Sequence, residues 1–322
     1  MYLNGALRPT AKPGPWPPSA DNLSRASQEG AAAKSPIPVY TMADLGPSSP
    51  ISGFAMRRLE DSFQHARRDV RRAHRHDFFK LGLLIGGRGY LSADFNDYAI
   101  RPPMLFQFGP GVVHGWRPTE LPRGFVMSFE LAFFGEDAHD RAEVAEAPVF
   151  CLHSGPRVLP LSAEQRSIFE PLARAMQREY ESRGKEHAAA VRSYLRIWLI
   201  EANRMAEARR PERWNDRGTA LTNRFLCLVG ENFRTLSGVS DYAARLHVTP
   251  SHLNETVRRT MQKTAGQVIR ERMLLEAKRL LRHSDLSVSE VAYHLNFEDP
   301  SYFARFFRKQ AGQSPAAFRA RV

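Results

Sequence analysis

Cysteine is almost missing from this chain of 322 residues: only Cys151 and Cys227 are present, far apart in sequence. Two distant thiols cannot build a disulfide framework, and their scarcity suits a reducing compartment. Neither sits in a metal or redox motif, so both are expected to be structural. Long apolar runs are missing too. Nothing approaches the roughly 18 apolar residues that span a bilayer, and the opening residues lack the apolar core of a signal peptide. A cytoplasmic protein with no membrane partner is expected. Acid is in short supply, with 34 Asp and Glu against 46 Lys and Arg, a formal net charge of +12. Such a surface favours phosphate backbones and makes binding to them salt-dependent. Charge alone identifies nothing, because many basic proteins bind no nucleic acid. Residues 1–36 are rich in Pro, Ala, Ser and Gly and have hardly any apolar run longer than two. They cannot bury enough surface to offset the entropy of ordering, and a disordered tail is predicted.

What is present, twice, is one helical module. Residues 241–251 run into 252–259, and residues 290–301 run into 302–309, each as a short helix, a tight turn and a second helix. Thr249 and Asp299 are side-chain acceptors where a helix leaves its first N–H groups unpaired, and Pro250 and Pro300 follow where no donor is needed. Ala243 and Ala292 are small where helices would cross. Leu246 and Leu295, Leu253 and Phe303, and Val257 and Phe307 supply matching apolar contacts, giving a helix-turn-helix core. The turn wants a residue tolerant of positive φ, which suits Asn296 better than His247. A lone pattern of this kind is weak. Two copies spaced by 49 to 50 residues are far more specific. Between them, residues 264–282 read as one helix with an apolar face of Val268, Ile269, Leu274, Leu275, Leu280 and Leu281. A helix of about 19 residues spans roughly 28 Å, enough to hold two recognition helices about one DNA turn apart.

Residues 219–322 thereby resemble the DNA-binding domain of AraC/XylS-type transcription regulators. The resemblance rests on Ala292-Tyr293, Leu295-Asn296-Phe297, the run from Ser301 to Lys309 and the closing segment from Ala311 to Arg319. It covers about a third of the chain. Val257 and Glu255 depart from the family habit, which bears on packing and base preference rather than on the fold. Charge agrees: from residue 219 onward, 16 Lys and Arg face 9 Asp and Glu, a net of +7. The resemblance implies double-stranded DNA as a partner, RNA polymerase as another, and activation more often than repression. On the first recognition helix Ser251, Asn254, Glu255 and Arg258 project away from the core. On the second, Ser301, Tyr302 and Arg305 do so, followed by Arg308. Asn suits adenine, Arg suits guanine and Glu can accept from cytosine. Solvated surface charge remains the alternative for Arg258 and Arg308.

Upstream, residues 37–160 carry short apolar runs at 80–85, 90–94, 104–108 and 124–129, broken by Gly, Pro and Asn. That texture predicts an antiparallel β-barrel or sandwich, and it resembles the cupin-like sensor half of the same regulator family. The fold class expected is therefore α+β: a cupin-like antiparallel barrel with following helices, then an all-α domain with two helix-turn-helix motifs. Cupin enzymes hold a metal with paired histidines, a glutamate four or five residues later and a further histidine. His74, His76 and His114 match the histidines, but Lys80 and Leu81 stand at the glutamate positions, which makes a metal site poor. No cofactor and no catalytic residue is expected. Strand alternation would put His74, His76, Phe78 and Lys80 on one face, and if that face points inward, with His114, it offers a small carboxylate a binding pocket. The opposite register would line the interior with Phe79, Leu81 and Leu83. Arg67, Arg68, Arg71 and Arg72 form a basic cluster expected to be solvated.

Two helices are predicted at 161–208. Ser162 and Gln165 mark a capping box, and Pro171 is expected to kink or break the first helix. In the second, Val191, Leu195, Trp198, Ala202 and Met205 form a seam for a barrel or for a second subunit, with Tyr194 and Leu199 widening it. A homodimer is expected, and residues 209–218 read as the interdomain linker. Two rival readings stay open: a metal-dependent cupin enzyme fused to a DNA module, and a barrel that only dimerises. A fused DNA-repair methyltransferase would need an activated cysteine, which neither Cys151 nor Cys227 resembles.

Overall fold

The computed structural model describes residues 37–45, 49–64, 70–135, 157–207, 217–236 and 238–321. The predicted tail, Arg67, Arg68, Cys151 and most of the predicted linker lie outside these residues. The strands are β1 (Val39–Tyr40), β2 (Phe54–Arg58), β3 (Arg75–His76), β4 (Phe79–Ala93), β5 (Asn96–Ile100), β6 (Met104–Phe108), β7 (His114–Phe129) and β8 (Arg157–Pro160). The helices are α1 (Asp61–Gln64), α2 (Ala163–Ser182), α3 (His187–Glu207), α4 (Arg217–Asn232), α5 (Val239–Arg245), α6 (Pro250–Met261), α7 (Ala265–His283), α8 (Val288–His294), α9 (Pro300–Ala311) and α10 (Pro315–Ala320). Among the described residues no helix is long and apolar enough to cross a membrane.

The expected barrel is an antiparallel sheet that does not close among the described residues. Its strand path is β2-β7-β4-β6-β8, with β5 on β4 and a separate parallel pair β1-β3. The runs at 80–85 and 90–94, which read as two strands, are the two ends of β4. The first end pairs with β6, the second with β5, and β7 runs antiparallel along both. Glycine joins what the sequence pattern separates. Register shifts fall at Leu84/Gly86, Gly86/Arg88 and Arg88/Gly89, where Gly89 has φ +128 and a Cβ would meet the Arg117 carbonyl at 2.3 Å. Across the strand, Gly124 has φ +151. Bulges of this kind bend a strand without ending it.

Each face of the sheet is buried. Leu81, Leu83, Phe125 and Met127 pack with Phe169, Ala173, Met176, Val191, Leu195, Trp198 and Ala202 from α2 and α3. Leu84, Phe106, Phe108, Trp116 and Val126 fill the other side. The α3 seam thus turns onto the sheet, and Leu199 with it. The outward face of α3 instead exposes Ile197 and Ile200. Ser162 and Gln165 form the predicted capping box, but α2 runs unbroken through Pro171. Packing on the sheet compensates the one hydrogen bond a proline removes. Helix α4 begins at Arg217, at the end of the segment expected to be the linker. Cys227 is half-buried on that helix.

The sensor sheet and the helical domain meet through charge. Asp94, in the β4–β5 turn, takes two hydrogen bonds from Arg279 of α7, at 2.7 Å from Nε and 3.0 Å from Nη2. Arg279 also reaches Glu276 at 3.1 Å, and Glu276 takes Arg272 at 3.1 Å and Arg75 of β3 at 2.5 Å. The side chains of Asp94, Glu276 and Arg279 are all at most 6% exposed. Burial alone would raise the Glu276 carboxyl, but Arg279, Arg272 and Arg75 pull it down to about 2. Ile37 and Val113 of the sensor lie within the apolar core of the helical domain.

Two outcomes are expected. Trp198→Ala should cost about 3–5 kcal/mol in chemical denaturation; a loss under about 1 kcal/mol would mean the α3 seam is not core. Because the folded pKa of Glu276 is depressed, its contribution is whole above the ordinary carboxyl value of 4.5 and fades as pH falls through about 2. Glu276→Gln should therefore be less stable at neutral pH and show a shallower loss of stability over that acid range. Unchanged stability and an unchanged acid profile would contradict the buried cluster.

Candidate functional site

The two helical modules are superimposable in their hydrogen bonding. In the first, His247 N–H donates to the Ala244 carbonyl and Val248 N–H to Ala243; in the second, Asn296 N–H donates to Tyr293 and Phe297 N–H to Ala292. Both turn residues are left-handed, His247 at φ 56 and Asn296 at φ 61. His247 takes the conformation for which it looked ill-suited, because a backbone bond on each side fixes the turn. Helices α5 and α8 have 7 residues each, and α6 and α9 have 12. Thr249 accepts from His252 N–H, and Asp299 accepts from Ser301 and Tyr302 N–H. Ala243, Ala292, Leu253, Phe303, Val257 and Phe307 are fully buried at equivalent places. The spacer α7 starts at a Thr264/Gln267 capping box.

The candidate contact residues mostly face solvent. Ser251, Glu255, Arg258, Ser301, Tyr302, Arg305 and Arg308 are exposed, Tyr302 by 59%, and the Arg305 guanidinium lies 5.9 Å from the Tyr302 ring centre. Asn254 is the exception. Its Oδ1 accepts from the Ala265 N–H at 3.0 Å, so the side chain caps the start of α7. Asn254 thus joins α6 to α7, while its Nδ2 and the second lone pair of Oδ1 stay available to a base edge or phosphate. Glu255 remains exposed beside it. Arg71 and Arg72 are exposed, as a solvated basic face requires.

The sensor candidates gather in the interior. His74, His76 and Phe78 are buried, although β3 holds only Arg75 and His76 and a break at Asp77 separates it from β4. His114 opens β7, and His74 and His114 are backbone partners through 3.0 and 2.8 Å hydrogen bonds. The three imidazole centres stand 4.4 to 5.0 Å apart. Phe78 lies 4.5 Å from His76, and Phe108 4.6 Å from His114. Lys80 pairs with Phe108 and Ser128 across the sheet, on the side away from α2 and α3. Leu81 and Leu83 point the other way, into the helix-covered core, so the inward reading of the histidine face is the one observed. Burial, then the Arg57 charge, pushes the Lys80 ammonium down to about 7. Burial, then the charges of His74 and Lys80, holds His114 well below the usual imidazole range.

The arrangement fits a metal better than the missing glutamate suggested. Nδ1 of His74 lies 2.8 Å from the Arg72 carbonyl and Nδ1 of His114 lies 3.1 Å from the Val112 carbonyl. Carbonyls only accept, so each Nδ1 carries a proton, the usual orienting contact behind a metal-bound imidazole, and His114, held neutral by its low pKa, keeps an electron pair on Nε2. One ligand nitrogen from each ring lies within 4.8 Å of the other two. His114 Nε2 is buried with no hydrogen-bond partner among the described residues. Three such nitrogens leave a coordination position open for another ligand. The cupin likeness had grouped the three histidines, but sequence reasoning missed the Asp94–Arg279–Glu276–Arg75 cluster. The available signal was the charge of Glu276 and Arg279 within the apolar stripe of α7.

Comparison with known proteins agrees with both halves. A helix-turn-helix domain matches residues 242–321, and an AraC-like ligand binding domain matches residues 59–195. The chain is 22% identical over 252 residues to the uncharacterized HTH-type transcriptional regulator YfiF of Bacillus subtilis, covering 77% of this chain and 78% of that one. It is 27% identical over 144 residues to the HTH-type transcriptional activator RhaS of Klebsiella pneumoniae, covering 44% of this chain and 51% of that one. Among solved structures, the DNA-binding domain of AdpA in complex with a target DNA is 31% identical and covers 31% of this chain and 89% of its own, with a TM-score of 0.29. ToxT from Vibrio cholerae covers 84% and 95% at 10% identity, with a TM-score of 0.38. With an AraC-like ligand-binding domain ahead of a double helix-turn-helix, the chain belongs to the AraC family of DNA-binding transcription regulators, which are not enzymes.

Proposed function

We propose that this regulator is an activator that answers to a small carboxylate, compatible with an aromatic ring, bound among His74, His76, Phe78, Lys80 and His114. The observation that carries this is Lys80. Its side chain is half-buried on the histidine side of the sensor sheet, and no acidic side chain pairs with it among the described residues. Withdrawing an unpaired ammonium even partly from water is costly, and an anionic ligand relieves that cost. The aromatic walls of Phe78 and Phe108 beside the imidazoles favour a ring on the same ligand.

On the DNA side, Ser251, Glu255 and Arg258 of α6 and Ser301, Tyr302, Arg305 and Arg308 of α9 are proposed to meet base edges and phosphates in successive major grooves. Pairing of two chains would use the outward face of α3, where Ile197 is 44% and Ile200 48% exposed. RNA polymerase is the proposed partner in activation, in line with the activators among the relatives.

Three measurements test this reading. In thermal unfolding against benzoate and short aliphatic carboxylates, a ligand at 100 times its Kd adds about 2.7 kcal/mol, worth roughly 5–10 °C. Lys80→Met should abolish the shift; a shift of equal size in the variant would remove Lys80 from the site. Arg305→Ala should weaken binding to a selected duplex by about 1–3 kcal/mol and cost much less on random DNA. Equal losses would make Arg305 a phosphate contact. Ile200→Glu should convert a dimer to a monomer in sedimentation, and an unchanged state would move the interface elsewhere.

A further inference from the structure

The histidine cluster and the interdomain ion cluster are one residue apart at two places. Arg75 sits between His74 and His76, and its guanidinium is bound to Glu276 of α7 at 2.5 Å. Val113 precedes His114 and is buried in the core of the helical domain. The same Val113 is tied to Asp94: its carbonyl accepts from Asp94 N–H at 2.7 Å and its N–H donates to Asp94 Oδ1 at 3.3 Å. Asp94 in turn holds Arg279 of α7 with both carboxylate oxygens. Gly111 closes the arrangement, with its N–H on the His76 carbonyl at 2.8 Å. Both arms therefore run from an imidazole to the spacer helix through direct polar contacts.

We propose that His74, His76 and His114 bind a divalent transition metal ion, and that its occupancy is read by α7 through the Arg75–Glu276 and Asp94–Arg279 contacts. This rests on the histidine pocket being the sensor's ligand site. All three ligands are imidazoles, which suit zinc, copper, iron and nickel and do not suit magnesium or calcium. A tetrahedral zinc at about 2.0–2.1 Å from each nitrogen needs the nitrogens roughly 3.3 Å from one another. They lie within 4.8 Å of one another here, so capture of the ion fixes the three rings at the spacing zinc requires. That constraint acts on residues bonded directly to Arg75 and Val113. Charge works in the same direction. A dication beside Arg75 repels that guanidinium, and Glu276 is the anion that offsets the repulsion. Coupling between two sites is reciprocal: a metal that alters the α7 contacts must bind differently when those contacts are altered.

The test uses the full chain with zinc alone, and cobalt as a spectroscopic stand-in. One equivalent of metal is expected by elemental analysis after dialysis, with the visible absorption of tetrahedral cobalt, and both should be lost in His76→Asn. Hydrogen exchange of the peptides covering residues 265–283 should change on adding zinc. In Glu276→Gln, zinc affinity measured by chelator competition should fall at least threefold, and the zinc-induced change in α7 exchange should shrink; Asp94→Asn provides a second variant if Glu276→Gln does not fold. Failure of the wild type to hold metal overturns the site. Metal bound with α7 exchange unchanged, or with zinc affinity unaltered in both cluster variants, overturns the coupling. The carboxylate reading is judged separately, by a benzoate-induced thermal shift in metal-stripped protein that disappears in Lys80→Met.

Discussion

Two carboxylates and three guanidiniums share a nearly dry seam between the sensor sheet and helix α7, and the relation of the two halves depends on it. Asp94 and Glu276 are the anions, Arg279 bridges them, and Arg75 and Arg272 complete the set. Ions this deeply buried are strongly destabilising when one partner is removed, yet they are no stronger than apolar contacts when all are present. That asymmetry makes the seam a poor glue and a good register. It fixes which residue of the β4–β5 turn meets which turn of α7, and it penalises every other placement. Val113 and Ile37 add apolar contact at the same junction. The seam has few arrangements in which every charge is satisfied, so it holds the sensor and helix α7 in one placement.

The helical domain was legible because its signals are local. Thr249-Pro250 and Asp299-Pro300 fix the starts of the recognition helices, and the matched positions Ala243/Ala292 and Leu253/Phe303 repeat a whole packing unit. The exposed side of α6 and α9 was legible at Arg258, Arg305 and their neighbours, because helical periodicity separates it from the core. The periodicity of α6 could not show that Asn254 also accepts from the Ala265 N–H on the next helix. His247 was judged by intrinsic preference, whereas two backbone bonds decide its conformation.

The sensor was legible in outline and not in topology. Alternation cannot reveal that 80–85 and 90–94 belong to one strand, since the joint is a run of glycines with register shifts and looks like a turn. Spacing put His74, His76 and Phe78 on one face but left both registers open, and only the likeness to cupins favoured the inward one. The Nδ1 contacts to the Arg72 and Val112 carbonyls are local, each two residues from its own histidine, whereas the approach of His114 to His74 and His76 depends on segments far apart in sequence. The charged seam is of the same kind: Arg75 and Glu276 are 201 residues apart.

The claim on which all else stands is that α6 and α9 read DNA together, held in phase by α7. Its direct measurement is selection of duplexes bound by the full chain from a random-sequence pool, followed by sequencing and a footprint of the selected site. The account predicts two enriched segments centred one helical turn, about 10–10.5 base pairs, apart and protected on the same side of the duplex. An enriched site of a single segment, or a pool that stays random while binding remains strong, would contradict it.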